Sequence, residues 1–168
     1  CGYKRVIRNL RIQYEVIVMK TLEADDAMGI YATAHPGNII VSPDKDMRQI
    51  PGKLYNLTDT TYITPEEGAQ WHLIQTLAGD QTDGYSGVPG IGVKRAELLF
   101  DKEGYSWQTV LKAFNDKGLT EEDALLNARL ARILTLDDYD TKRQEPILWT
   151  PELSLTIDDG TGLQDASY

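Results

Sequence analysis

Hydrophobic and polar positions along the chain fall into two regimes. Over residues 14–20, "YEVIVMK", apolar and β-branched residues run with few breaks, which predicts a buried strand. Residues 22–35, "LEADDAMGIYATAH", predict a helix with acids in its first turn, where the dipole favours them, stopped by Pro36-Gly37. Residues 38–42, "NIIVS", predict a second strand. Strand, helix and strand within about thirty residues make a βαβ unit and hence a parallel α/β sheet. Residues 53–64 read as short strands or loop. Two strands do not make a covered parallel sheet, so further strands are expected upstream of Cys1.

From Thr64 the pattern turns helical. Thr64 as cap, Pro65 at the first helical position and Glu66-Glu67 behind it start a helix that runs to Ala78. A glycine-rich stretch, "GDQTDGYSGVPGIG", covers 79–92, and helices follow near 93–102, 106–118 and 120–136, the last capped by Thr120. From Pro146 one apolar alternation, "ILWTPELSLTI", gives way to acidic and glycine-rich residues. The expected organisation is an α/β part over 1–64, a helical part over 65–145 and a tail over 146–168.

The 168 residues suffice for one domain with a real core, and 41% hydrophobic with 26% charged residues describes a soluble chain. No apolar run is long enough to span a bilayer, and "CGYKRVIRNLR" has no signal-peptide core. Cys1 is the only cysteine, which excludes an internal disulfide and makes a cytosolic setting the default. The formal charge of −9 argues against a general polyanion binder. The charge is uneven, however. Glu152, Asp158, Asp159 and Asp165 load the tail, while Lys4, Arg8 and Arg11 would share one face of an N-terminal helix, either a solvated face or a phosphate-facing strip.

Three acidic clusters change this picture. Glu23, Asp25 and Asp26 sit at a strand-to-helix junction, Asp44 and Asp46 just past the next strand, and Asp80 and Asp83 just after the 65–78 helix. The first two clusters fall at the carboxyl ends of neighbouring strands, where open α/β sheets carry their sites. In an extended segment, Asp44 and Asp46 at i and i+2 would project to one side. So many carboxylates in one crevice stay ionised only beside cations. Oxygen ligands without Cys or His point to Mg²⁺ or Mn²⁺, and two such ions suit phosphodiester hydrolysis. His35 and His72 have no ligand partner at usable spacing and read as structural or solvent-facing.

The stretch "GVPGIGVKR" (87–95) sets Gly87, Gly90 and Gly92 ahead of a helix that opens with Lys94 and Arg95. Glycines admit close approach of backbone N–H groups to a phosphate, and the helix start adds a favourable dipole. The spacing fits neither a Walker loop nor a dinucleotide fingerprint. Two helices joined this way suit a grip on a nucleic-acid backbone that does not read its sequence.

Together "LEADD" (22–26), "VSPDKD" (41–46), "LAGDQTD" (77–83) and "GVPGIGVKRAELL" (87–99) resemble the 5′-nuclease superfamily, and most closely its phage exonuclease branch. The resemblance runs from about Leu22 to Leu136. It implies a PIN-like α/β domain followed by a helix-three-turn-helix. The implied activity is Mg²⁺-dependent, structure-specific 5′→3′ exonuclease or flap endonuclease action in DNA replication or repair, in a bacterial or phage-infected cell. Glu23, Asp25, Asp26 and Asp44 would lie near one ion, and Asp46, Asp80 and Asp83 would build the second site. Asp26, Asp44 and Asp46 would be the catalytic carboxylates, with Asp44 and Asp46 sharing the bridge between the ions. Gly87, Gly90, Gly92, Lys94 and Arg95 would contact DNA at a nick, flap or 5′ end. The backbone carbonyls of Val88 and Ile91 would hold K⁺, and the protein would act as a monomer.

Gly84 departs from the family, which usually has Asn there. The family's first strand, its early aspartates and its arch helices would precede this chain, so none is assigned. The alternative is a duplex-binding module around residues 79–136 without catalysis, and a third reading is an RNA-cleaving relative.

Overall fold

The ladder partner of "NIIVS" is not the earlier apolar run but a later one. In the computed structural model, which describes residues 2–151, β1 (Ile39–Val41) pairs in parallel with β2 (Gly52–Tyr55), with Ile40 opposite Leu54. A 3-10 helix, Lys45–Gln49, makes the crossover between them. β2 then turns back into β3 (Thr60–Ile63) as an antiparallel hairpin, giving the sheet order β1-β2-β3.

Residues 14–20 form no strand, and the predicted βαβ unit is corrected accordingly. A strand needs a ladder partner for its backbone groups, and this segment has none among the described residues. Ile17 and Val18 stay exposed, and Ile39 and Val41 on the open edge of β1 remain 51% and 57% exposed. The helix before this segment, α1 (Gly2–Gln13), buries none of its residues, so Lys4, Arg8 and Arg11 lie on its surface.

Six α-helices are present among the described residues. α2 (Ala24–Ala34) takes Glu23 as its N-cap residue. α3 (Pro65–Ala78) starts where the sequence places it, on a capping box in which Thr64 Oγ1 accepts from Glu67 N and Glu67 Oε2 accepts from Thr64 N. α4 (Val93–Glu103) and α5 (Trp107–Asn115) follow. α6 (Glu121–Ala131) is capped by Thr120 but stops five residues short of the expected Leu136. There the backbone leaves the helix at Arg132, and the amides of Ile133 and Leu134 donate instead to Gln49 Oε1 and Asp26 Oδ1, both at 3.0 Å. An unexpected small hairpin, β4 (Tyr139–Asp140) with β5 (Glu145–Pro146), lies beyond it. The acidic part of the predicted tail lies outside the described residues.

Two apolar clusters hold these elements. Ile40, Met47, Ile50, Leu54 and Ile63 pack under the sheet with Met28, Ala32 and Ile133 against them. Trp71, Leu77, Val88, Phe100, Val110 and Phe114 centre the helical cluster. Burying Phe100 and Phe114 contributes about 1.5–3 kcal/mol each. The clusters meet along α3, whose Gly68 lies against the Gln49 carbonyl so closely that a Cβ would stand 2.3 Å from it. The residues after β1 are thereby held against α3, which presents Asp80 at its end.

Candidate metal centre

Six of the seven carboxylates singled out by the sequence line one cleft of about 540 Å³: Glu23, Asp25, Asp26, Asp44, Asp46 and Asp83. The seventh, Asp80, meets Asp46 and Asp83 with carboxylate oxygens all within 4.8 Å of one another. Asp25 and Asp26 enter the cleft from the first turn of α2. Asp44 caps the 3-10 helix and Asp46 lies inside it, with Asp44 Oδ1 accepting from Asp46 N at 2.9 Å. The extended geometry expected for this pair is thus replaced by a turn. That turn sends Asp46 inward, buried, while Asp44 stays exposed.

Crowding shows in the acidities. Burial pushes the Asp25 carboxyl above its ordinary value, and the charges of Asp44, Asp26 and Glu23 push it further. Asp26 is raised mainly by burial, against the lowering effect of the Leu134 amide. Asp83 is raised by burial and by Asp80 and Asp46. Asp80 goes the other way, because Lys45 Nζ lies 2.7 Å from its Oδ2 and Thr82 N donates to its Oδ1 at 2.9 Å. Tyr85, buried beside these acids, has its phenol pushed well above its usual value by burial and by Asp46.

Around the cleft stand residues that the pattern of acids does not point to. Lys45 stands inside a quoted motif without a role there, and it also lies 3.3 Å from Asp46. Gln75 donates to Asp46 Oδ1 from the last turn of α3, and Gln49 backs it. Arg129 and Arg132 line the cleft, Arg129 donating to the Trp149 carbonyl and Arg132 pairing with Asp138 at 2.7 Å. A glutamine amid "LIQTLA" was the only available signal for Gln75.

The glycine loop follows directly from the same helix end. Asp80 and Tyr85 form an isolated antiparallel bridge, and Gly84 takes φ +83 at the turn inside it, the conformation a glycine admits freely. Gly87 does not face outward as a phosphate contact should. It is buried, its N–H donates to Asn127 Oδ1 at 2.8 Å, and a Cβ there would stand 2.4 Å from Gly79 N. Its missing side chain serves close packing of the loop on α3. Gly90 and Gly92 are exposed, as are Lys94 and Arg95. Arg95 Nη1 donates to the Gly90 carbonyl at 2.8 Å and braces the loop. Val88 is buried, and its carbonyl accepts from Ile91 N at 3.0 Å. His35 is exposed and stacks on Tyr31, while His72 is buried with Nε2 2.8 Å from the Ala128 carbonyl. Neither touches the carboxylates. No helix among the described residues is long and apolar enough to cross a membrane.

No protein-family model matches the chain. It is 32% identical to the exodeoxyribonuclease of Enterobacteria phage T3, over 89% of the chain and 63% of that protein. It is 31% identical to the exonuclease of Escherichia phage T7, over 84% of the chain and 60% of that protein. It is 32% identical to a 5′-3′ exonuclease of Mycobacterium tuberculosis, over 65% of the chain and 42% of that protein. The chain thus spans roughly three fifths of the two phage relatives.

Proposed function

From the premise that the chain belongs to the 5′-nuclease superfamily, we propose that it carries most of the metal centre of an enzyme that hydrolyses DNA phosphodiesters from a 5′ end, as a 5′→3′ exonuclease or flap endonuclease. The observation that carries this reading is the convergence of all three acidic clusters on one cleft. The donor set suits hard divalent cations, Mg²⁺ or Mn²⁺, because it consists of carboxylates with no thiol or imidazole among them. When bound, two such ions supply Lewis acidity at the attacking water and at the leaving oxygen.

Glu23, Asp25, Asp26 and Asp44 would hold one ion. Asp46, Asp80 and Asp83 would hold the other, partly through water. Asp26, Asp44 and Asp46 are the carboxylates assigned nearest the chemistry. Each is fixed in a different way: Asp26 accepts the Leu134 amide, Asp44 caps a 3-10 turn and Asp46 accepts Gln75. The pKa values of Asp25 and Asp83, raised by burial and then by neighbouring carboxylates, mark sites where a cation would favour the ionised form.

The second part of the proposal is a helix-three-turn-helix spanning α3, the glycine loop and α4. Gly90, Gly92, Lys94 and Arg95 would face the phosphates of a duplex that ends in a nick or flap. K⁺ would bind the carbonyls of Val88 and Ile91. The sheet would be the PIN-like core over 1–64 and the helices the DNA-holding part over 65–145, in a protein acting as a monomer on DNA inside a bacterial or phage-infected cell.

The test is cleavage of a 5′-labelled nicked or flapped duplex, with and without Mg²⁺, by this chain and by the chain extended upstream in its gene. Mg²⁺-dependent cutting by either form, lost in Asp44→Asn and Asp80→Asn while duplex binding persists, is expected. Binding without cutting by both forms would overturn the catalytic reading and leave a duplex-binding module.

A further inference from the structure

Asp46 is the most buried member of the Asp46–Asp80–Asp83 group, and behind it lies a chain of amides whose direction is fixed by backbone. The Ile133 N–H can only donate and the Ala131 carbonyl can only accept. Gln49 lies between them, with Oε1 accepting from Ile133 N at 3.0 Å and Nε2 donating to Ala131 O at 2.5 Å. The two ends of the Gln49 amide are therefore assigned without ambiguity. The same Nε2 donates its other hydrogen to Gln75 Oε1 at 2.7 Å. Gln75 must then turn its own Nε2 outward, where it donates to Asp46 Oδ1 at 2.5 Å. Gln49 and Gln75 are 2% and 3% exposed, and buried amides of this kind keep their hydrogen bonds because no solvent stands in for a lost partner.

We infer that Gln75, held by Gln49, is a positioning residue for cation binding by Asp46, Asp80 and Asp83, fixing the Asp46 carboxylate from behind; the inference rests on the two-ion reading above. A donor aimed at one carboxylate oxygen favours the ionised form and restricts its rotation. Gln75 does not itself ligate, since the end facing Asp46 carries hydrogens only. A hydrogen-bonded partner behind a ligating carboxylate tunes cation affinity without touching the ion.

The plain alternative is a pair of satisfied core amides that serve stability alone. Mn²⁺ titration of the chain followed by electron paramagnetic resonance separates the two. Gln75→Met keeps the length and removes the donor. It is expected to weaken one of two Mn²⁺ sites by about 10–100-fold and leave the other unchanged. Val110→Ala, a cavity in the helical cluster, is expected to lower the melting temperature while both Mn²⁺ affinities stay at the wild-type value. Should Gln75→Met fail to fold, Gln75→Asn keeps the amide but is one methylene too short to span Gln49 and Asp46, and the same one-site loss is expected. Wild-type affinity in the folded Gln75 variant overturns the inference, and so does an equal loss in Val110→Ala. A wild-type chain that binds no Mn²⁺ overturns the two-ion reading and takes this inference with it.

Discussion

Lys45 Nζ lies 2.7 Å from Asp80 Oδ2, across thirty-five positions of sequence, and supplies a positive charge at the Asp46–Asp80–Asp83 group. The pairing raises the Lys45 pKa and lowers that of Asp80, each chiefly through this hydrogen bond. A cation that takes Asp80 Oδ2 as ligand competes with the ammonium for it. Lys45 is half exposed, so the pair contributes little, on the order of 0.2–1 kcal/mol. Lys45→Met is accordingly expected to tighten Mn²⁺ binding at this group by about two- to fivefold. Calorimetric titration checks this, and weaker binding would show that Lys45 supports the site instead of competing for it.

His72 gives the fold an acid-sensitive point. Its Nε2 donates to the Ala128 carbonyl, so the second proton would have to enter at buried Nδ1. Burial, helped by the Arg132 charge, pushes its pKa down to about 4 from 6.5. A neutral form favoured in the folded state stabilises fully above pH 6.5, and that stabilisation is lost as pH falls through 6.5 towards 4. The loss amounts to about 3 kcal/mol at its end. Raised carboxylates such as Asp25 act in the opposite sense, gaining stability as pH falls. The difference between wild type and His72→Gln in urea unfolding at pH 7 and pH 4.5 isolates the histidine. An unchanged difference across that window would refute the neutral buried imidazole.

Two glycines of one loop have opposite reasons to be glycine. At Gly87 φ is +59, and a Cβ would stand 2.4 Å from Gly79 N and 2.5 Å from the Leu77 carbonyl. Gly87→Ala is expected to cost at least about 2 kcal/mol in urea unfolding. At Gly92 φ is −98 and nothing lies within 4 Å, so Gly92→Ala is expected to cost about 1 kcal/mol or less. Equal costs would mean that the loop is not packed on α3 as described.

The exposed pair Lys94 and Arg95 sits on the first turn of α4. If both meet phosphates, the double Ala variant should weaken duplex binding evenly across sequences, and the slope of log affinity against log salt should shrink by about two. Fluorescence anisotropy at several salt concentrations reads both effects. An unchanged slope would remove the pair from the DNA surface, leaving Arg95 only its brace on Gly90.

What the sequence discloses here is whatever depends on near neighbours. The Thr64–Glu67 cap, the start of α4 and the placing of acids after β1 and α3 are all local, and the structure has them where the pattern points. The strand expected at 14–20 fails because a strand is a property of its partner, which apolar content alone does not reveal. α6 ends before its sequence pattern does for a related reason: side chains 84 and 108 positions away capture the amides of Ile133 and Leu134. The burial of Gly87 and the support of Asp46 by Gln75 are equally non-local. The acidic residues themselves were legible, because crowded like charges stand out in one dimension, whereas the neutral groups that orient them do not.

Ile133 and Leu134 are adjacent, and their amides serve different acid sets, Gln49 and through it Asp46 in one case and Asp26 in the other. Neighbouring Cα atoms are held about 3.8 Å apart by the trans peptide. These contacts are made by main-chain groups, so they do not depend on which side chains stand there, while the Ile133 side chain answers separately to the sheet cluster it packs against. The contacts do depend on the number of residues. One inserted or deleted residue between Ala131 and Leu134 would put the two halves of the cleft out of step, so relatives should keep the length of this segment even where its side chains differ.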